Sequence, residues 1–101
     1  MTYQVIFPTP AYEKQFEKVL LKISKFKVRD QIIRKIEALA DNPRPIEAGS
    51  FKRLNPPIEI HELTAQYRLR VGDYRILYDV DDYKKTVMIL ALRKRNEKTY
   101  N

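Results

Sequence analysis

The chain has 101 residues, 44% of them hydrophobic, with 20 Lys and Arg against 13 Asp and Glu for a formal charge of +7. That length predicts one domain, residues 1–101, with a single small core. The absence of cysteine and the presence of a single histidine, His61, exclude a disulfide scaffold, a thiolate zinc site and a cysteine nucleophile, and disfavour a Ser-His-Asp triad. No metal and no cofactor is expected. No apolar run has the length of a membrane span and no signal-peptide pattern opens the chain, so a cytoplasmic location is expected. The positive balance favours a polyanionic partner, nucleic acid or an acidic protein, with a solvated basic surface as the plainer alternative.

Tyr3 to Phe7 is apolar and β-prone, and Pro8 stops it; it reads as a first strand. A helix is predicted from Thr9-Pro10. Thr9 can cap, Pro10 suits the first helical position, and Glu13 complements the helix dipole. Phe16, Val19, Leu20 and Ile23 follow at helical spacing. A second helix is predicted over about Val28 to Asp41, with the stripe Val28, Ile32, Ile36 and Leu39, and Asn42-Pro43-Arg44-Pro45 as its stop. Ala48 to Pro57 reads as a loop or short irregular strand carrying the basic pair Lys52-Arg53. Pro56-Pro57 cannot donate ladder hydrogen bonds and so cannot be central in a sheet. Ile58 to Leu63, with His61, reads as a weak strand.

The segment Tyr67-Arg68-Leu69-Arg70-Val71-Gly72-Asp73-Tyr74-Arg75-Ile76-Leu77-Tyr78 is the most informative part of the chain. Alternate residues of a strand share a face. Tyr67, Leu69 and Val71 therefore point one way, Arg68 and Arg70 the other. Gly72-Asp73 suits a two-residue turn with glycine first. That turn places Val71 opposite Tyr74, Leu69 opposite Ile76, Tyr67 opposite Tyr78, and Arg70 opposite Arg75. Facing like charges destabilise a strand pair, and a broken local rule inside a consistent hairpin is often a functional mark. The simplest use of two facing guanidinium groups is to hold an anion, phosphate first. Asp79, Asp81 and Asp82 lack the spacing and glycine of a calcium loop and suit a solvated turn. Thr86 to Leu92 is apolar on both faces, as a central or well-covered strand would be.

The order of elements predicts an α+β fold: an N-terminal strand, a helical hairpin, then an antiparallel β-meander with the helices packed on one sheet face. The opposite face should carry Arg68, Arg70 and Arg75 with Leu77 beside them. The tail, Arg93-Lys94-Arg95 to Tyr100, can reach the same side. Cations with an aromatic side chain suit single-stranded RNA, whose phosphates pair with arginine and whose bases stack on rings.

An apolar-striped helical hairpin, the Tyr67–Tyr78 segment, an apolar strand and a basic tail ending near Tyr100 together resemble the RelE/ParE superfamily of bacterial type II toxin–antitoxin toxins, over nearly the whole chain. For the RelE branch the resemblance implies a RelE-like fold and a ribosome-dependent mRNA endonuclease, or mRNA interferase. In such toxins a ribose 2′-hydroxyl attacks the adjacent phosphate, leaving a 2′,3′-cyclic phosphate and a 5′-hydroxyl. Motif by motif, it implies catalytic roles for Arg68, Arg70, Arg75, Lys94 and Tyr100. The candidate RNA-binding residues are Arg93, Arg95, Lys52 and Arg53. Two features depart from better-known members: arginine stands where lysine is common in the first hairpin strand, and Leu92-Arg93-Lys94-Arg95 replaces a Gly-His-Arg pattern. The ParE branch implies instead a non-enzymatic inhibitor of DNA gyrase. A basic interaction domain without catalysis is the third reading. Either toxin reading implies a cognate antitoxin; the first adds the ribosome and mRNA as partners.

Overall fold

The computed structural model describes residues 2–95. Strand β1 is Gln4–Ile6. Helix α1 is Pro10–Leu21, entered through an extended Thr9 with proline in the first turn and Glu13 behind it. Helix α2 is Phe26–Ala38, so it starts and ends earlier than its apolar stripe suggests. Lys25 is extended and sets the start. At the other end the Ala40 carbonyl accepts from the Tyr3 amide at 2.7 Å, an inter-element bond that competes with further helix.

Four longer strands follow: β2 Phe51–Ile60, β3 Leu63–Val71, β4 Tyr74–Asp81 and β5 Thr86–Lys94. The sheet order is β1-β5-β4-β3-β2. The meander β2 to β5 is antiparallel, and β1 joins β5 in parallel, which makes the sheet mixed. This is the expected α+β architecture. Phe16, Ile23, Ile32, Ile36 and Leu39 of the helical layer bury themselves on Tyr67, Leu69, Ile76, Tyr78, Val87, Ile89 and Leu92 of the sheet. The β5 strand lies between β1 and β4, which accounts for its two apolar faces.

Three local expectations need correction. The segments read as a loop and a separate weak strand are one ten-residue edge strand, β2. Its register shifts between Arg53 and Ile58, around a cis Asn55–Pro56 bond. The prolines sit in the irregular part of an edge, where no ladder donor is needed. His61 belongs not to a strand but to the turn between β2 and β3, at φ +60°. Leu77 is on the outward face as expected, yet is buried at 1% exposure. The β3–β4 ladder begins at Tyr67–Tyr78, whereas the β2–β3 ladder runs on to Ile60–Leu63. The far end of the β2–β3 hairpin thus leaves β4, and Ile60 and Ala65 join Leu77 and Leu90 in a second apolar cluster. The Tyr12 hydroxyl fastens this arm to α1 by donating to the Ile60 carbonyl at 2.8 Å. Among the described residues no helix is long and apolar enough to cross a membrane.

Candidate nucleic-acid interface

The site starts from the β3–β4 turn. Gly72 takes φ +58°, a left-handed conformation that side chains disfavour and glycine accepts. The turn sets the register: Val71 faces Tyr74, Leu69 Ile76, Tyr67 Tyr78, and Arg70 Arg75, as the sequence predicts. On the next strand Arg75 faces Arg93 and Leu77 faces Ala91. On the other side Lys52 of β2 faces Arg68. Directly paired residues project on the same side of a sheet. The outward face therefore carries two adjacent rows: Arg70–Arg75–Arg93, and Lys52–Arg68–Leu77–Ala91. Neighbouring strands stand about 4.8 Å apart, so three guanidinium-bearing residues lie abreast across three strands.

The electrostatics follow from that crowding. Burial, and then the neighbouring cations Arg70, Arg75 and Arg95, push the Arg68 pKa down. Burial also lowers Arg75, followed by Arg95, Arg70 and Arg93. The Arg95 backbone N–H donates to the Asp73 carbonyl, which holds the end of β5 against the hairpin turn. Arg68 finds only a long 3.5 Å contact to the Ser50 carbonyl, and its Nε is buried with no hydrogen-bond partner among the described residues. Like charges gathered at reduced hydration favour an incoming anion, which relieves the repulsion and accepts charge-assisted hydrogen bonds.

The structure brings together Lys52, Arg68, Arg70, Arg75 and Arg93, with Arg95 beside them. It does not bring Lys94 or Arg53 to that face. Lys94 pairs with Tyr74 and Arg53 with Tyr67, both on the helix side. Strand alternation decides this, because each lies one residue from a member of the outward rows. Tyr100 lies outside the described residues.

A cluster on the helix side was not apparent from the sequence. Arg44 donates through Nε to the Tyr67 hydroxyl at 2.8 Å and forks onto Asp82 at 3.1 and 2.9 Å. The Tyr3 hydroxyl donates to the same carboxylate at 2.6 Å. The Tyr78 hydroxyl donates to the Pro43 carbonyl at 2.7 Å. The Arg44 and Arg53 guanidinium groups each stand 5.2 Å from the Tyr67 ring centre. These contacts pin the segment after α2 onto the sheet. The only local signal was an arginine set between two prolines; its partners are distant in sequence. Asp81 accepts from the amides of Tyr83 and Lys84, whereas Asp79 lies within β4 and is partly buried, not in the solvated turn expected for it.

Fold and face together define a small, basic α+β domain with a cationic sheet surface. Residues 6–99 match the profile of the ParE toxin of the type II toxin-antitoxin system parDE. The chain belongs to this toxin family, and with it to the RelE/ParE superfamily. Among solved structures it is similar to the archaeal RelE–RelB complex from Pyrococcus horikoshii OT3. That likeness has 30% identity and a TM-score of 0.70 over 96% of this chain and 99% of that one. It is also similar to the toxin–antitoxin complex RelBE2 from Mycobacterium tuberculosis, at 26% identity and a TM-score of 0.51 over 94% of this chain and 100% of that one. A double-arginine mutant of E. coli toxin RelE in the free state shares the fold, at 21% identity and a TM-score of 0.52 over 98% of this chain and 88% of that one. No curated protein sequence matches the chain.

Proposed function

We propose that this toxin is a ribosome-dependent mRNA endonuclease whose outward arginine rows hold the RNA backbone. The observation that supports this reading is the Arg70–Arg75–Arg93 row with Arg68 alongside. In the proposed reaction the 2′-oxygen forms a bond to the adjacent phosphorus and the bond to the 5′-oxygen breaks. The products are a 2′,3′-cyclic phosphate and a 5′-hydroxyl. One proton leaves the attacking hydroxyl and one reaches the departing oxygen. Arg75 and Arg93 stabilise the negative charge that builds on the phosphorane, usually the largest catalytic contribution. Arg68, Arg70 and Lys52 position the flanking phosphates. The ribosome supplies the bent, single-stranded codon for in-line attack.

The arginines do not carry the protons, because guanidinium stays charged even when its pKa is lowered. Lys94 projects from the helix side by register, which leaves the phenol of Tyr100 as the proposed proton carrier. Arg95 adds charge at the turn. Arg53, engaged with the Tyr67 ring, takes no part in this scheme.

The partners proposed are ribosome-bound mRNA in the cytoplasm and a cognate antitoxin. Two of the similar structures are toxin–antitoxin complexes by name. An acidic antitoxin segment laid over the arginine rows would silence the toxin by charge and by cover. The test is primer extension on a translated mRNA after brief induction. Cuts should appear within ribosome-occupied codons and vanish in Arg75→Ala and Tyr100→Phe; uncut mRNA under ribosome occupancy overturns the reading. The second reading, a non-enzymatic gyrase inhibitor, draws on the ParE family match. Blocked supercoiling by the purified protein with mRNA left intact would favour it.

A further inference from the structure

The arginine rows do not account for the space at their β5 end. Between the first half of α1, the His61 turn and Leu90–Arg93 lies a groove of about 370 Å³, at the small end of ligand-binding sites. Tyr12 gives it an aromatic wall, and the buried Phe16 and Leu90 an apolar floor, while Gln15 and His61 supply groups that can hydrogen-bond. Its walls are fixed. The Tyr12 ring meets the His61 ring edge-on at 5.9 Å, and its hydroxyl is anchored on the Ile60 carbonyl. Arg93 belongs both to this groove and to the Arg70–Arg75–Arg93 row.

We propose that this groove takes one unstacked nucleobase of the RNA whose phosphates lie on the arginine row, an inference that rests on the RNA reading above. A base needs an apolar, aromatic slot with a few polar groups at its edge, beside a cation for its own phosphate. All of these converge here. An acidic peptide would satisfy Arg93 but leave the aromatic wall unused. A DNA duplex keeps its bases stacked and out of reach.

The test uses the full chain and three probes: an RNA hexanucleotide, the same hexamer made abasic, and the nucleoside 5′-monophosphates. NMR follows the arginine Nε–H signals and the ring signals of Tyr12 and His61. The intact hexamer should shift both sets. The abasic hexamer should shift only the arginines and bind roughly tenfold or more weakly, the usual worth of base–aromatic contact. Ala11→Trp, at an exposed position lining the groove, should give the intact hexamer the affinity of the abasic one. If intact and abasic RNA move the arginines alike and the groove stays silent, the base pocket is overturned and the RNA reading stands. Silence at both sites also overturns the base pocket, and the RNA reading is then decided by the primer extension on ribosome-bound mRNA. A mononucleotide that binds as tightly as the hexamer overturns the proposal in favour of a free-nucleotide site.

Discussion

The two faces of the sheet treat arginine in opposite ways. On the helix side Arg44 meets a carboxylate and a phenol. The Asp82 fork, and then the Tyr67 hydroxyl, push its pKa up. On the outward side Arg68 and Arg75 are lowered, first by burial and then by other cations. The first arrangement is complete within the chain and holds a loop in place. The second crowds cations that repel one another, an arrangement that the proposed RNA backbone would relieve. A cation whose needs are met locally is structure, and a group of cations whose needs conflict is a binding surface.

The largest expected effect separates these roles in activity. Arg75→Ala should reduce ribosome-dependent mRNA cleavage by about 100- to 1,000-fold, the range for losing a donor to developing charge. Arg44→Met should leave the specific activity of the folded fraction near wild type, as single-turnover cleavage would show.

The outward face also carries the second apolar cluster. Leu77→Ala should cost about 2–5 kcal/mol in chemical denaturation, as a buried leucine does, although the residue faces away from the helices. A cost under about 0.5 kcal/mol would show that the hairpin arm does not seal this side, since exposed sites change that little.

One substitution made on both faces gives opposite signs. Arg44→Met should destabilise the fold by about 1 kcal/mol after allowing for solvent screening, lowering Tm by several degrees. Arg68→Met should raise Tm slightly at low salt, by removing a charge that burial and three cations disfavour. The gain should shrink at high salt, where screening weakens the repulsion.

The smallest effects are in pH. The Arg44 fork and the Tyr3 hydroxyl hold the Asp82 carboxyl at about 2, below its ordinary 3.8. Its stabilising contribution is therefore complete above the ordinary value and is lost as pH falls towards 2. Asp82→Asn should flatten the urea midpoint between pH 5 and pH 2. Burial pushes the Asp79 carboxyl up, so the sign reverses: its ionisation opposes folding as pH rises through the carboxylate range. Asp79→Asn should raise the midpoint at pH 7 and leave it unchanged at pH 2.

Much of this was legible in the chain. The Tyr67–Tyr78 hairpin declared its register because a glycine-first turn admits one pairing, and alternation then assigns every side chain to a face. The Arg70–Arg75 pair followed directly. Arg93 joined the row only through the β4–β5 ladder, whose register shifts after Leu77. That shift, with the departure of β3 from β4, also lets Leu77 be buried on the side assigned to solvent. Lys94 and Arg53 were grouped with neighbours by sequence, but alternation sends adjacent strand residues to opposite faces.

By itself the sequence determined the order of elements, the hairpin pairing and the excess of positive charge, because these depend on local periodicity, turn chemistry and composition. Only the tertiary structure decided that Arg93 stands beside Arg75, that Arg44 closes on Asp82, and that the β2–β3 arm folds back to α1 to form a groove. Those contacts join residues far apart along the chain, and their geometry follows from the packing of the whole sheet.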